Sequence, residues 1–387
     1  MTLSSFLLPH FRRPRHAALC AFIFLLAAEA LAADEKNTEL LCIRNRPLVP
    51  VALNKVEPYY MLLDLSIPQT VIAREVADYL GLDTTSGAST NTRKVLLDSF
   101  RCGERPAVAS ECVVMDLAPL CGLLGATVAG IVNPRVFGPE IDLDLGRGAF
   151  RIRKADAAVL KDDHDPRIVK ITRVDDRISV PVLLEGTTVR SAVLDTTFGG
   201  TIAIPESLLA ELGIVLGNIP KLAVRSAPGE VDDSVGRVQI RLKSVRVGTA
   251  EIRHPLCAIE PGQHPIRIGA GFLRHVHATI HFDQGWLRLE PHSPSPPSDG
   301  PIIGCGLGLA SFHNGLWTLW IALNSPADRA GIPPGSTLIS VNGKDMEGAS
   351  HAEAFAALPS EEGKEAEIVI SHGKEVQTVT LKAETLL

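Results

Sequence analysis

The 387-residue chain lacks three features that would narrow its function at once. It has no excess of positive charge, since 38 Lys and Arg face 44 Asp and Glu, well mixed, for a net charge of -6. That balance leaves no electrostatic footprint for nucleic acid or an anionic membrane surface. It has no Cys-x-x-Cys pair, which removes the usual spacing of a structural zinc or a dithiol redox site. Beyond residue 31 it has no apolar run approaching the roughly 20 residues that a spanning helix needs.

The first 33 residues read as a targeting segment. Arg12, Arg13 and Arg15 precede the apolar run Ala17 to Leu31, and Ala30-Leu31-Ala32 supplies small residues before Ala33-Asp34. Residues 1–33 are therefore expected to be a signal peptide, with the mature chain exported to the periplasm or outside the cell and without a membrane span after cleavage. Export permits disulfides. Of the six later cysteines, Cys42, Cys102, Cys112 and Cys121 fall in one region where up to two bridges can form, with the pairing open. Cys257 and Cys305 are expected as buried free thiols.

The chain contains one pattern twice. Val49-Pro50-Val51 runs on to Leu63-Asp64, and Val180-Pro181-Val182 runs on to Leu194-Asp195, each aspartate fourteen residues after the proline. Both aspartates end apolar runs that read as buried strands, Tyr59 to Leu65 and Ser191 to Thr196. A turn, a short strand and a helix-like segment follow, Arg74 to Gly81 and Pro205 to Gly213. Ser99-Phe100-Arg101-Cys102-Gly103 matches Ser244-Val245-Arg246-Val247-Gly248, with Cys112 and Cys257 each nine residues beyond the glycine. Strand pairs close both copies, Ile141–Asp144 with Phe150–Ile152 and Ile280–Asp283 with Trp286–Leu289. Two copies are too few for a solenoid, so they are expected to build one shared site.

These residues resemble the retropepsin-like aspartic proteases in their bacterial form, with two such units on one chain. The family's second apolar-apolar-Gly turn is matched by Ile268-Gly269-Ala270-Gly271 and, in the first copy, by Ile131-Val132-Asn133. The resemblance implies two pseudo-twofold-related β-barrel lobes, residues 42–153 and 168–290, with Asp64 and Asp195 as a catalytic dyad. It makes Leu65, Ser66, Thr196 and Thr197 the active-site turns, and Pro228-Gly229 the tip of a flap in the second lobe. The turns depart from the family's Asp-Thr-Gly pattern. The glycine is Ser66 in one copy and Thr197 in the other, one threonine is Leu65, and the hydroxyl residue that often follows is Ile67 or Phe198. Ser66 and Thr197 are placed to supply that hydroxyl one position early.

Lys154 to Arg177 reads as a polar connection between the copies, and 291–300 as a Pro/Ser-rich extended linker. Beyond it, residues 301–384 resemble a PDZ domain of the protease-associated kind. The match lies in Gly306-Leu307-Gly308-Leu309, Ser325-Pro326-Ala327-Asp328-Arg329-Ala330-Gly331 and Val341-Asn342-Gly343. In that family the amides of the Gly306–Leu309 loop bind a peptide carboxylate and Ser350 to Leu358 forms the other groove wall. The last residues, Thr385-Leu386-Leu387, match a PDZ-ligand terminus. The expected class is mainly β, two lobes followed by a small α+β domain. His275, His277 and His281 share strand spacing, but nothing completes a metal set, so no metal and no cofactor is expected.

Two functions follow. Paired carboxylates within hydrogen-bond reach share one proton, so one can activate water while the other protonates a peptide carbonyl. That makes an exported aspartic endopeptidase acting on peptides or unfolded proteins, with C-terminal peptides bound at the PDZ groove. The alternative is a non-catalytic periplasmic scaffold that keeps the protease fold as a binding surface.

Overall fold

A computed structural model describes residues 37–82, 93–103, 108–153, 165–174, 177–226, 238–312 and 315–387. The expected signal peptide and the flap tip Pro228-Gly229 lie outside the described residues. The protein is mainly β.

In the first half, β1 (Arg46–Leu53) and β2 (Val56–Leu63) form an antiparallel pair that leads into the first aspartate. The chain then builds β3 (Val71–Ala73), α1 (Arg74–Tyr79), β4 (Lys94–Cys102), β5 (Val108–Met115), α2 (Ala118–Leu124) and β6 (Gly130–Val132). Strand β2 lies parallel to β6, β3 lies parallel to β5, and β3 runs antiparallel to β6. A pairing of β1 with β4 closes the sheet. The first half ends in β7 (Glu140–Asp144) and β8 (Ala149–Arg153).

The second half repeats this plan. Its strands are β9 (Arg177–Leu184), β10 (Thr188–Asp195), β11 (Ile202–Pro205), β12 (Lys221–Ser226), β13 (Val238–Arg241), β14 (Ser244–Val247), β15 (Leu256–Glu260) and β16 (Ile266–Gly269). Again the aspartate strand β10 lies parallel to β16, β11 lies parallel to β15, and β11 runs antiparallel to β16. The short α3 (Ala270–Leu273), then β17 (Val276–His281) and β18 (Trp286–Pro291), finish it. The halves meet where β7 pairs with β17, Leu143 opposite Ala278 and Ile141 opposite Ile280. One buried apolar cluster runs from Val49 through Ile141 and Ile280 to Leu289, which ties the halves together in water by hydrophobic burial.

The helix-like segment of the second copy is wound as a 3-10 piece. Pro205 to Gly213 forms a 3-10 turn at Glu206–Leu208 followed by further turns, with i to i+3 bonds such as Leu209 N to Glu206 O. The segment is a short piece between a strand and a left-handed Gly213 (φ +68°), and such short connectors favour the tighter winding. Of the cysteine readings, Cys257 and Cys305 are buried and free as expected, while the first-copy cysteines form no bridge. All six described cysteines are free, and Cys102, Cys112, Cys257 and Cys305 are buried. Burial raises the Cys102 thiol to about 12 and the Cys112 thiol to about 11, which suits them to packing rather than to redox chemistry.

The C-terminal unit has its own apolar cluster, from Leu307 to Leu381. It comprises β19 (Leu307–Phe312), β20 (Gly315–Ala322), α4 (Pro326–Arg329), β21 (Thr337–Val341), α5 (His351–Ala357), β22 (Glu365–His372) and β23 (Glu375–Lys382). Ser325 caps α4, and Ser350 with Glu353 forms a capping box on α5. Thr385-Leu386-Leu387 does not lie in the groove. Thr385 pairs with Ile303, and the Leu387 carbonyl accepts from Ile302 N and from Arg241.

This unit is joined to both halves. Strand β12 pairs with β13 through Lys221 to Ala223 and then with β20, Val224 opposite Ala322 and Ser226 opposite Trp320. Arg225 adds an ion pair to Asp328 at 3.1 Å. The 291–300 segment is pinned as well, since Asp299 Oδ2 accepts from Thr201 Oγ1 at 2.8 Å and Leu256 N at 2.7 Å.

On the other side, α2 packs against β19, and its C-cap Gly125 sits against α5. Gly125 has φ +67°, and a Cβ there would lie 2.3 Å from the His351 Cβ. Gly125→Ala is therefore expected to cost about 1–3 kcal/mol through left-handed strain plus the clash. Amide hydrogen exchange over 307–312 and 351–357 should rise in this variant. Unchanged exchange there would show that the contact is not holding the unit.

Candidate active site

Both aspartates end matched strands and turn inward. Asp64 is 2% exposed and Asp195 5%. The Asp64 backbone N–H donates to Val132 O, and Asp195 pairs in register with Gly269. Each aspartate is thus braced by the strand that precedes the second turn.

The two turns are tied to each other by one threonine. Thr196 Oγ1 donates to Leu63 O at 2.6 Å and accepts from Leu65 N at 3.2 Å, reaching across 133 and 131 residues. Thr196 is fully buried, so these bonds flank Asp64 with no competing water. Leu65 has no hydroxyl to return the grip, and its side chain is buried instead. Thr196→Val should cost about 1–3 kcal/mol by leaving the Leu65 amide without a partner. Urea unfolding tests this, with Thr196→Ser expected to restore most of the loss. A loss below about 0.5 kcal/mol would remove the grip from the account.

Ser66 and Thr197 supply the hydroxyls one position early. Ser66 N and Oγ donate to Asp64 Oδ1 at 2.6 and 2.7 Å. Thr197 N and Oγ1 donate to Asp195 Oδ1 at 3.0 and 2.6 Å, and Phe198 N adds a third bond at 3.0 Å. Asn133, in the place of a second-turn glycine, ties the first turn instead. Its Nδ2 donates to Ile67 O at 2.6 Å while its Oδ1 accepts from Arg135 N. The departures from Asp-Thr-Gly are therefore compensated locally by side-chain hydrogen bonds.

The electrostatics couple the pair. Burial, and next the charge of Asp195, push the Asp64 carboxyl up to about 7, against the Ser66 donors and the charge of Arg177. A carboxylic acid raised this far stays protonated where its neighbour is charged, the condition for acid and base roles in one site.

One residue in contact with the pair was missed in the sequence. Arg267 donates to Asp195 Oδ2 at 3.0 Å and pairs with Glu260 through its other nitrogen. Burial works against its charge, but Asp195 and Glu260 more than offset this and hold its pKa above the usual arginine value. The available signal was a cation inside the apolar strand Ile266–Gly269, two residues before the second-turn glycine.

Leu307 to Leu309 lie in β19, beside α5. Gly306 (φ +84°) is pressed against Ser325, where a Cβ would fall 2.0 Å from its Oγ. His351 Nε2 donates to Leu309 O at 2.8 Å and so spans from helix to strand. His275, His277 and His281 do not converge. His277 lies near Asp142 and Glu290, while buried His281 accepts from Gln284 N. A cavity of about 780 Å³ opens between both halves and α5, lined among others by Arg46, Phe198, Thr201, Gln239, Asp299 and His351. Neither aspartate lines it.

No protein-family profile and no curated protein matches the chain. Among solved structures, basic 7S globulin from soybean is 9% identical, with a TM-score of 0.40, covering 67% of this chain and 95% of its own. A retropepsin-like aspartic protease from Rickettsia conorii is 18% identical, with a TM-score of 0.23, covering 32% of this chain and 86% of its own. The peptide-bound PDZ domain of a carboxy-terminal protease from Vibrio cholerae is 16% identical, with a TM-score of 0.21, covering 23% and 99%. The chain spans 25% of the photosystem II D1 C-terminal processing protease, which it also matches. The structural neighbours thus include, at low coverage of this chain, a retropepsin-like aspartic protease and PDZ domains and, over 67% of it, a seed globulin.

Proposed function

We propose that this chain is an exported aspartic endopeptidase whose dyad is Asp64 and Asp195 and whose C-terminal unit is a PDZ domain that binds peptide ends. The observation that carries the reading is the pair itself. Two buried aspartates from duplicated strands are joined by Thr196, with the acidity of one raised by burial and by the charge of the other. In such a pair the ionised carboxylate takes a proton from a water as its oxygen adds to the peptide carbonyl carbon. The protonated carboxyl gives its proton to the carbonyl oxygen. The resulting gem-diol is never covalently attached, and its collapse sends a proton to the leaving amine.

Peptide recognition by the PDZ unit rests on the Gly306–Leu309 segment and the facing α5, and an added strand there has to displace α2 from β19 and His351 from the Leu309 carbonyl. Among the described residues no helix is long and apolar enough to cross a membrane, and the export itself rests on residues 1–33. The reading is tested by digesting a diverse peptide library with the mature chain and with asparagine variants of both aspartates.

The scaffold reading has one observation in its favour: the guanidinium of Arg267 already engages Asp195 Oδ2. A folded chain that cleaves nothing would decide for it.

A further inference from the structure

The two halves align in register around their aspartates, and one of the positions at which they differ carries a charge. Leu63 pairs with Val132 and Leu194 with Ile268. Ile131 and Arg267, each one residue earlier, are therefore equivalent. Beside Asp64 the position is an isoleucine, and beside Asp195 it is a cation.

Arg267 is held from three directions. It bonds Asp195 Oδ2, pairs with Glu260 at the end of β15, and lies with its guanidinium carbon 4.7 Å from the centre of the Phe198 ring. Its side chain is 17% exposed. Charge-assisted bonds and ring stacking in a water-poor site fix an arginine more firmly than surface pairing does. Arg177 bears on Asp64 through space, and Arg46 donates to the Thr197 carbonyl beside the second turn.

We propose that Arg267 is a positioning residue that breaks the symmetry of the pair, keeping Asp195 as the carboxylate and leaving the shared proton on Asp64. The catalytic meaning rests on the dyad reading above, whereas the proton's location does not. Asp195 is then the base that takes the water proton, and Asp64 the acid that protonates the carbonyl oxygen. After addition Asp195 carries a proton and Asp64 is ionised. On collapse Asp195 protonates the leaving amine and Asp64 recovers a proton from a diol hydroxyl, so both return to their starting states. In a symmetric pair either carboxyl could begin in either role. Here the order is fixed before substrate arrives.

The test follows the proton directly. The full mature chain is labelled with 13C at aspartate carboxyls, the two resonances are assigned with Asp64→Asn and Asp195→Asn, and the pair is titrated by NMR. In the wild type the step near pH 7 should move the Asp64 carbon alone. In Arg267→Met the same step should divide between both carbons, while Arg267→Lys, which keeps the charge, should leave it on one. The acid limb of the cleavage profile should move to higher pH by about one to three units in Arg267→Met and stay in place in Arg267→Lys. A step shared by both carbons in the wild type, or one still confined to Asp64 in Arg267→Met, overturns the proposal. If the methionine variant does not fold, Arg267→Gln takes its place, with the same division of the step expected and a step still confined to Asp64 overturning the proposal. Absence of cleavage with the proton confined to Asp64 would refute the peptidase and leave the role of Arg267 standing.

Discussion

Changing Asp64 or Asp195 to asparagine is expected to lower peptide cleavage by about 10²- to 10⁴-fold each, the usual contribution of a positioned acid or base. The two losses should not add, because both carboxyls serve one proton relay and removing either stops it. Asparagine keeps the acceptor oxygen for the Ser66 or Thr197 donors, so the turns should stay in place while the chemistry fails. The measurement is mass-spectrometric cleavage of a peptide library by the mature chain from acid to neutral pH. Activity that survives both substitutions would move the chemistry elsewhere in the molecule.

The same substitution at Asp64 should stabilise the protein at alkaline pH. The folded carboxyl titrates at about 7 against an ordinary value of 3.8. Between those values the folded protein holds a proton that the unfolded chain has released, so wild-type stability falls as pH rises through the window. Above pH 7 the accumulated cost is on the order of 4 kcal/mol, at about 1.4 kcal/mol per pKa unit. An asparagine side chain cannot ionise, so the Asp64→Asn variant should lose none of this. Its urea midpoint should match the wild type near pH 4 and exceed it at pH 8 by about 1–4 kcal/mol of stability, the lower part of that range reflecting an amide less well matched to the site. Parallel wild-type and variant curves from pH 4 to 8 would show that Asp64 is not raised. A gain in stability on losing the acid would also place the cost of function in this one side chain.

Much of the site was legible because its signals are local. The repeated Pro-to-Asp spacing, the paired apolar strands and the second turns each lie within a few tens of residues, and strand periodicity reads directly from such runs. Ser66 and Thr197 lie two residues from their aspartates, and the turn geometry there is set by neighbouring backbone. The helix-like segment at Pro205 to Gly213 is 3-10 rather than α because so short a segment takes its winding from its anchors. The first half has the cysteines for up to two bridges, but they are free and divided between interior and surface: Cys102 and Cys112 are buried and Cys42 is exposed.

The sequence by itself determined that this protein is mainly β, that it contains one aspartate-bearing unit twice, and that its last eighty or so residues carry the glycine and turn blocks of a PDZ-like segment. Only the tertiary structure decided how these parts engage. It brought Arg267 to Asp195 across 72 residues and Thr196 to Leu63 across 133, merged β12 with the C-terminal sheet, and set Gly125 against His351. Each of these depends on where separately folded strands and helices meet. Periodicity reports which face of a strand is buried, but it does not say which distant partner fills the space opposite.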